Sequence, residues 1–132
     1  DGRWIAYRSD ESGRFEIYVQ SFPSLDRKYR VSDAGANPLV NTTASWVRWR
    51  RDGGELYFIG GDGQTIMVSA TECGEAFRFE TPRPLLRLPH GFVDADISPD
   101  GQRIAVCMPI GVQGRSVINL VMNWEAEIEG AK

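Results

Sequence analysis

The chain is expected to be all-β, and three observations carry that expectation. Asp-Gly stands in one recurring setting, at Asp1-Gly2, Asp52-Gly53 and Asp100-Gly101, separated by 51 and 48 residues. The residues that follow align without gaps: Ile5, Leu56 and Ile104, then Ala6, Tyr57 and Ala105, then Tyr7, Phe58 and Val106. Glycine-bearing loops then divide each copy into further strand-like runs. Asp-Gly between such runs is a strong hairpin cue, because both residues tolerate the turn's positive φ. A period of just under about 50 residues, with about four strands in each, predicts a partial β-propeller of about three blades, each an antiparallel four-stranded meander.

The elements follow in order. In the first copy a strand after Gly2 leads through a loop at 9–14 to a second strand at 15–22, with a further strand at 28–32. Residues 34–43 are polar and turn-rich and are read as a surface loop between blades. In the second copy Val47 and Trp49 mark a strand ahead of the turn, followed by strands at 55–58, 65–71 and 84–88. In the third, Ala95 and Ile97 occupy the places of Val47 and Trp49, and a strand through Ile104 and Val106 leads by a loop at 109–115 to one at 116–124. Positions two apart share a strand face. Both sets after each turn are apolar, which predicts strands covered on both sides. The blades are assigned to about residues 1–33, 44–89 and 92–124, with a tail at 125–132 read as a short helical turn or frayed end. The first copy of the turn stands at residue 1, so its blade is expected to lack the innermost strand, and the chain to be cut from a larger propeller.

Bulk properties narrow the partner classes. The chain has 132 residues, 42% of them hydrophobic and 25% charged, with a formal net charge of −3. That balance lacks the basic footprint of a nucleic-acid binder. No apolar run approaches the roughly 20 residues needed to span a bilayer as a helix, so no membrane contact by this segment is expected.

Ile97-Ser98-Pro99-Asp100-Gly101-Gln102-Arg103-Ile104-Ala105 resembles the core signature of the WD-like propeller repeat of TolB-type proteins. So do Asp1-Gly2-Arg3-Trp4-Ile5-Ala6-Tyr7 and the run Glu16-Ile17-Tyr18-Val19, while Trp49-Arg50-Arg51-Asp52-Gly53 is a variant with Arg50-Arg51 in place of Ser-Pro. The ending Ile118-Asn119-Leu120-Val121-Met122-Asn123-Trp124 is similar to the C-terminal blades that follow bacterial serine/threonine kinase domains. The resemblance implies a non-catalytic protein-interaction or ligand-sensing module of a larger bacterial protein, with a periplasmic or extracytoplasmic setting favoured. The alternative is the propeller part of a hydrolase or peptidase that shapes an active site located elsewhere. Self-association through exposed blade faces is expected, because an open arc leaves apolar faces and strand edges bare.

No residue is assigned to catalysis, cofactor or metal. His90 lies between Pro89 and Gly91 and is read as an exposed turn residue, and no nucleophile elbow occurs. Asp94, Asp96, Ser98 and Asp100 alternate like calcium ligands, but Pro99 and Ala105 stand where a calcium loop needs Gly and Glu. The alternation is read instead as a polar strand face along a propeller channel. Asn41-Thr42-Thr43 matches a glycosylation sequon, read as a coincidence, and Gly60-Gly61-Asp62-Gly63 is read as a hairpin loop. Cys107, inside an apolar strand pattern, is read as a buried free thiol. Trp49 fits the repeat and is placed in the core. Trp46, out of phase with Trp49, points to the opposite face, and with Arg48 and Arg50 forms the candidate exposed interaction patch.

Overall fold

The structure, a computed structural model, describes residues 2–36 and 46–109 and the backbone of residues 118–122. Among them there is no helix, and every strand pairing is antiparallel. The first sheet is the meander β1 (Trp4–Ser9), β2 (Glu16–Ser21) and β3 (Lys28–Arg30). The middle sheet runs β4 (Val47–Trp49), β5 (Glu55–Ile59), β6 (Thr65–Cys73) and β7 (Phe77–Phe79), with β8 (Arg83–Arg87) also pairing with β6. The third sheet holds β9 (Asp94–Ile97), β10 (Arg103–Cys107) and β11 (Ile118–Met122). The predicted tail at 125–132, the sequon and most of the loop expected at 34–43 lie outside the described residues.

The sheets stack face to face because their alternating residues divide between two cores. On β5, Leu56 and Phe58 join Ile17, Val19 and Val31 of the first-sheet region in one core, while Tyr57 and Ile59 join Ile97, Ile104 and Val106 of the third sheet in the other. The middle sheet is thus apolar on both faces, as the sequence leads one to expect. Residues 56 to 59 are at most 2% exposed. Burying each such side chain is worth about 1.5–3 kcal/mol. The first and third sheets are covered more fully on the side that meets the middle sheet. On β10 Ile104 and Val106 are buried while Arg103 and Cys107 are exposed. Cys107 is therefore not the buried thiol the apolar pattern suggests: its neighbours in sequence face the core and it faces away.

The recurring turns take one geometry. In the β4–β5 hairpin Arg50 N–H donates to Glu55 C=O at 2.9 Å, and Gly53 N–H to Arg50 C=O at 2.9 Å. In the β9–β10 hairpin Ser98 N–H donates to Arg103 C=O at 2.8 Å, and Gly101 N–H to Ser98 C=O at 2.8 Å. The aspartate before each glycine accepts the N–H two residues on, Gly54 at 2.9 Å and Gln102 at 3.0 Å. Asp62-Gly63, in the β5–β6 hairpin, repeats the pattern, with Gly60 N–H to Thr65 C=O and Gly63 N–H to Gly60 C=O.

The middle sheet has one strand more than the meander pattern predicts. β6 is nine residues long and carries two partners along one edge, β8 against Thr65–Val68 and β7 against Thr71–Cys73, with a register shift at Ile66/Met67. The three residues Phe77-Arg78-Phe79 are too short a run to stand out in sequence. Their weight is tertiary: Phe77, 3% exposed, meets Trp4 and Tyr29 of the first sheet at 5.5 Å and Trp49 at 6.0 Å between ring centroids.

Candidate interaction surface

The β4–β5 and β9–β10 turns, the β2–β3 loop and the β6–β7 loop line a run of hollows at one end of the stack. A hollow of about 410 Å³ lies between Trp4, Trp49, Thr71 and Cys73, with Arg50 to Gly54 forming its wall. A second, about 440 Å³, shares Trp4 and runs on past Phe22, Arg27 and Gly74. A third, about 610 Å³, shares Arg50, Arg51 and Asp52 and ends at Pro99 and Asp100. Trp4 and the Arg50–Asp52 turn thus join the three into one groove.

Trp4 is held in place by several contacts. Its indole N–H donates to Gly74 C=O at 3.2 Å, its ring meets Tyr29 edge-on, and the Arg27 guanidinium lies 5.3 Å over it. Arg27 itself donates to Glu75 C=O at 2.5 Å, which fastens the β2–β3 loop to the middle sheet.

Two adjacent arginines at the groove differ in state. Arg50 is saturated: Nε and Nη2 bind the two Asp52 oxygens at 2.7 and 2.9 Å, and Nη1 reaches Glu55 Oε2 at 2.9 Å. The Tyr57 hydroxyl also donates to Glu55. The Arg50 hydrogen bonds hold the Asp52 carboxyl down at about 2, helped by Gly54 N–H. Burial, together with the Glu55 hydrogen bond, pushes the Tyr57 phenol above its ordinary range. Arg51 is exposed, and among the described residues its guanidinium has no ion pair; its backbone N–H donates to Pro99 C=O at 3.0 Å, tying the two hairpins together. Nothing in the sequence separates Arg51 from Arg50, because their partners are set by which side of the hairpin each faces.

The expected patch of Trp46, Arg48 and Arg50 is not one surface. Trp46 is 3% exposed and belongs to the core between the middle and third sheets, so it presents no recognition surface. The opposite phase of Trp46 and Trp49 is as expected, but both faces of the middle sheet are covered, so opposite phase means a different core rather than solvent. Arg48 is exposed and binds Asp96 at 3.3 Å across to the third sheet, with its guanidinium 5.9 Å from the Trp46 ring. Arg50 lines the groove but is neutralised by Asp52 and Glu55. Trp49 packs in the core between the first and middle sheets, as expected.

The remaining residues singled out in sequence are locally satisfied. His90 is exposed and its Nδ1 lies 3.0 Å from Gln64 Nε2, with Arg87 donating to the same glutamine at 2.9 Å. Asp94 and Asp96 share the face of β9 turned away from Ala95 and Ile97, and accept the N–H of Ala95 and Ile97 at 2.9 and 3.0 Å. Ser98 and Asp100 bind each other within the turn. Among the described residues no three His, Cys, Asp or Glu side chains are grouped so that they could hold a metal ion. A scan against protein-family models and a search of curated proteins both find no match to this chain.

Proposed function

We infer that the three sheets are successive blades of a partial β-propeller of the TolB-type WD-like class. On this reading the chain is a non-catalytic protein-interaction or ligand-sensing module of a larger bacterial protein. Face-to-face stacking of antiparallel meanders, with one hairpin geometry recurring at the same repeat position, supports the fold reading. The observation that carries the functional reading is the groove at the hairpin end. It offers two partly buried tryptophans, Trp4 and Trp49, beside Arg51, whose guanidinium has no ion pair among the described residues. Aromatic and arginine side chains in a hollow are the groups that dominate protein–protein binding energy. The partner such a groove fits is a polypeptide segment with an apolar side chain for the hollow and a carboxylate for Arg51.

Selection of peptides from a displayed random library, followed by titration against tryptophan fluorescence, tests this. Selected peptides are expected to carry an acidic residue beside an apolar one and to bind about tenfold more weakly to the Arg51→Glu variant. Failure to enrich any peptide, or ligands indifferent to Arg51→Glu, overturns it.

The outer face of the first sheet supports self-association as well. Ile5 is 45% exposed there, beside the stacked Tyr7 and Tyr18 rings, 5.9 Å between centroids. In the middle sheet the equivalent positions, Leu56 and Phe58, are covered by a neighbouring sheet.

A further inference from the structure

One loop keeps a leucine where the backbone disfavours one. Leu25, between β2 and β3, has φ of 56° and is the only non-glycine residue at positive φ among the described residues. In that conformation the Cβ crowds the following carbonyl oxygen, which glycine avoids. Burial does not account for the leucine, because it is 54% exposed, three residues after Phe22 at 53%. Nor is the loop slack. Leu25 N–H donates to Ser21 C=O at 3.2 Å, and Gln20 Nε2 donates to Leu25 C=O at 2.9 Å. The Ser21 and Ser24 hydroxyls donate to one Asp26 oxygen at 2.7 and 2.5 Å, and Arg27 N–H donates to Ser21 Oγ at 3.0 Å. A strained, exposed apolar residue on a rigid loop is a side chain held ready for contact outside its own chain.

Leu25 is followed by Asp26, whose side chain is 63% exposed. The Ser24 and Ser21 hydrogen bonds hold its carboxyl below the ordinary carboxylate range, so it is an anion at neutral pH. The neighbouring Arg27 Nε stands 3.9 Å from Asp26 Oδ1, too far to hydrogen-bond, and Arg27 Nη1 donates to Glu75 C=O at 2.5 Å. The loop therefore displays an apolar side chain directly before a carboxylate. The hollow of about 610 Å³ between the β4–β5 and β9–β10 turns matches that pair: Pro99 is an exposed apolar surface there and Arg51 an exposed cation. The Arg51 guanidinium has no ion pair among the described residues, while Arg50 beside it is occupied by Asp52 and Glu55. Loop and hollow lie at the same end of the stack. A two-fold axis at that end brings each copy's loop to the other's hollow and makes the contact twice.

We propose that two copies of this chain join end to end across a two-fold axis, the β2–β3 loop of each entering the other's groove. Leu25 of one copy packs against Pro99 of the other, and Asp26 pairs with Arg51. This rests on the groove being a site for an acidic and apolar segment, and makes a second copy its occupant. A rigid loop loses little freedom on docking, and a carboxylate–guanidinium pair fixes its orientation. The contact is separate from association through the outer face of the first sheet.

Sedimentation equilibrium at micromolar concentration tests this, with every chain carrying Ile5→Lys so that the first sheet's outer face does not contribute. That parent chain is expected to sediment as a reversible dimer. Leu25→Gly retains the fold, because glycine adopts this φ freely, and is expected to weaken dimerisation about tenfold or more. Arg51→Glu and Asp26→Lys are each expected to give monomers. An equimolar mixture of those two is expected to regain the dimer, since both loop–groove contacts again join opposite charges. A monomeric parent chain, a dimer indifferent to Leu25→Gly or to Arg51→Glu, or a mixture that stays monomeric each overturns the proposal. Peptide selection on the Leu25→Gly chain separates its failure from that of the groove reading. Acidic and apolar peptides that bind there and need Arg51, beside a monomeric parent chain, refute only the second copy as occupant. A monomeric parent chain that selects no peptide refutes both.

Discussion

The Tyr57 hydroxyl stands so close to Gly101 that a Cβ on that glycine would lie 2.6 Å from its oxygen. Gly101 sits at the tip of the β9–β10 hairpin with φ of 75°, and Tyr57 is fully buried on β5, so the contact seats the third sheet's turn on the middle sheet. Gly53, its counterpart in the β4–β5 turn, has φ of 74°, but a Cβ there would meet only the Cys73 side chain, its sulfur at 3.4 Å and its Cβ at 3.6 Å. Gly53→Ala is expected to cost about 1–2 kcal/mol from the left-handed backbone alone. Gly101→Ala adds displacement of a buried tyrosine and is expected to cost about 3 kcal/mol or more. Urea midpoints compare the two variants; an equal loss would mean that the hairpin does not bear on Tyr57.

A buried carboxylate at the start of β2 depends on one hydroxyl. Glu16 is fully buried, binds Arg14 Nε at 2.6 Å and accepts a hydrogen bond from Ser32. The Ser32 oxygen in turn accepts the Ile17 N–H at 2.8 Å. Ser32→Ala removes partners from two buried groups at once and is expected to destabilise by about 2–4 kcal/mol. Denaturant unfolding of Ser32→Ala against the exposed control Ser12→Ala measures it, and matching midpoints would show that the network contributes nothing.

Acid should weaken the β4–β5 hairpin through Asp52. Its carboxyl is held down from the ordinary 3.8 to about 2, chiefly by the Arg50 hydrogen bonds. A carboxyl depressed by folding stabilises the native state fully above its unfolded value, and that contribution fades as pH falls from about 4 toward about 2. Asp100, depressed by Ser98 and by Gln102 N–H, contributes in the same direction. Unfolding midpoints between about pH 5 and pH 2 should therefore fall less steeply for Asp52→Asn than for the wild type. Parallel curves would remove Asp52 from the acid response.

The two thiols should react at different rates. Cys107 is exposed, whereas Cys73 is half-buried and burial pushes its thiol up. Thiolate is the reactive form, so a disulfide reagent at neutral pH is expected to label Cys107 in the fast phase and Cys73 in the slow one. Cys107→Ser should abolish the fast phase; its persistence in that variant would reverse the assignment.

The outer face of the first sheet should drive association between copies. Wild-type chain at micromolar concentration is expected to scatter as a species larger than a monomer, and Ile5→Lys to shift it toward monomer. Ile5 is 45% exposed and on the edge strand, so the substitution disturbs little of the core. A stable wild-type monomer by light scattering would count against association through this face.

Much of the architecture was legible because strands alternate. The alignment of Ile5, Leu56 and Ile104 correctly separated the two faces of β5 and β10, and the two-residue spacing of Val47 and Trp49 marked β4. β7 was not legible, since three residues carry too little alternation to mark a strand, and neither was the division of β6 between two partners. The groove was legible in part. Arg50 stood out beside Trp46 and Arg48, but Trp4, Arg51 and Cys73 lie in three separate segments, and no local pattern encodes their meeting.

The sequence by itself determined the strands long enough to alternate, the recurring turn and the side of each such strand on which a residue lies, because all three depend on chain-local geometry: the pleat, and the backbone freedom of Asp-Gly. The tertiary structure alone decided what each side meets. Trp46 and Arg48 differ by two positions and share a phase, yet one is sealed in a core and the other reaches Asp96 at the surface. That difference comes from how the neighbouring sheet stacks, an arrangement between segments about 48 residues apart, which no local pattern of hydrophobicity encodes.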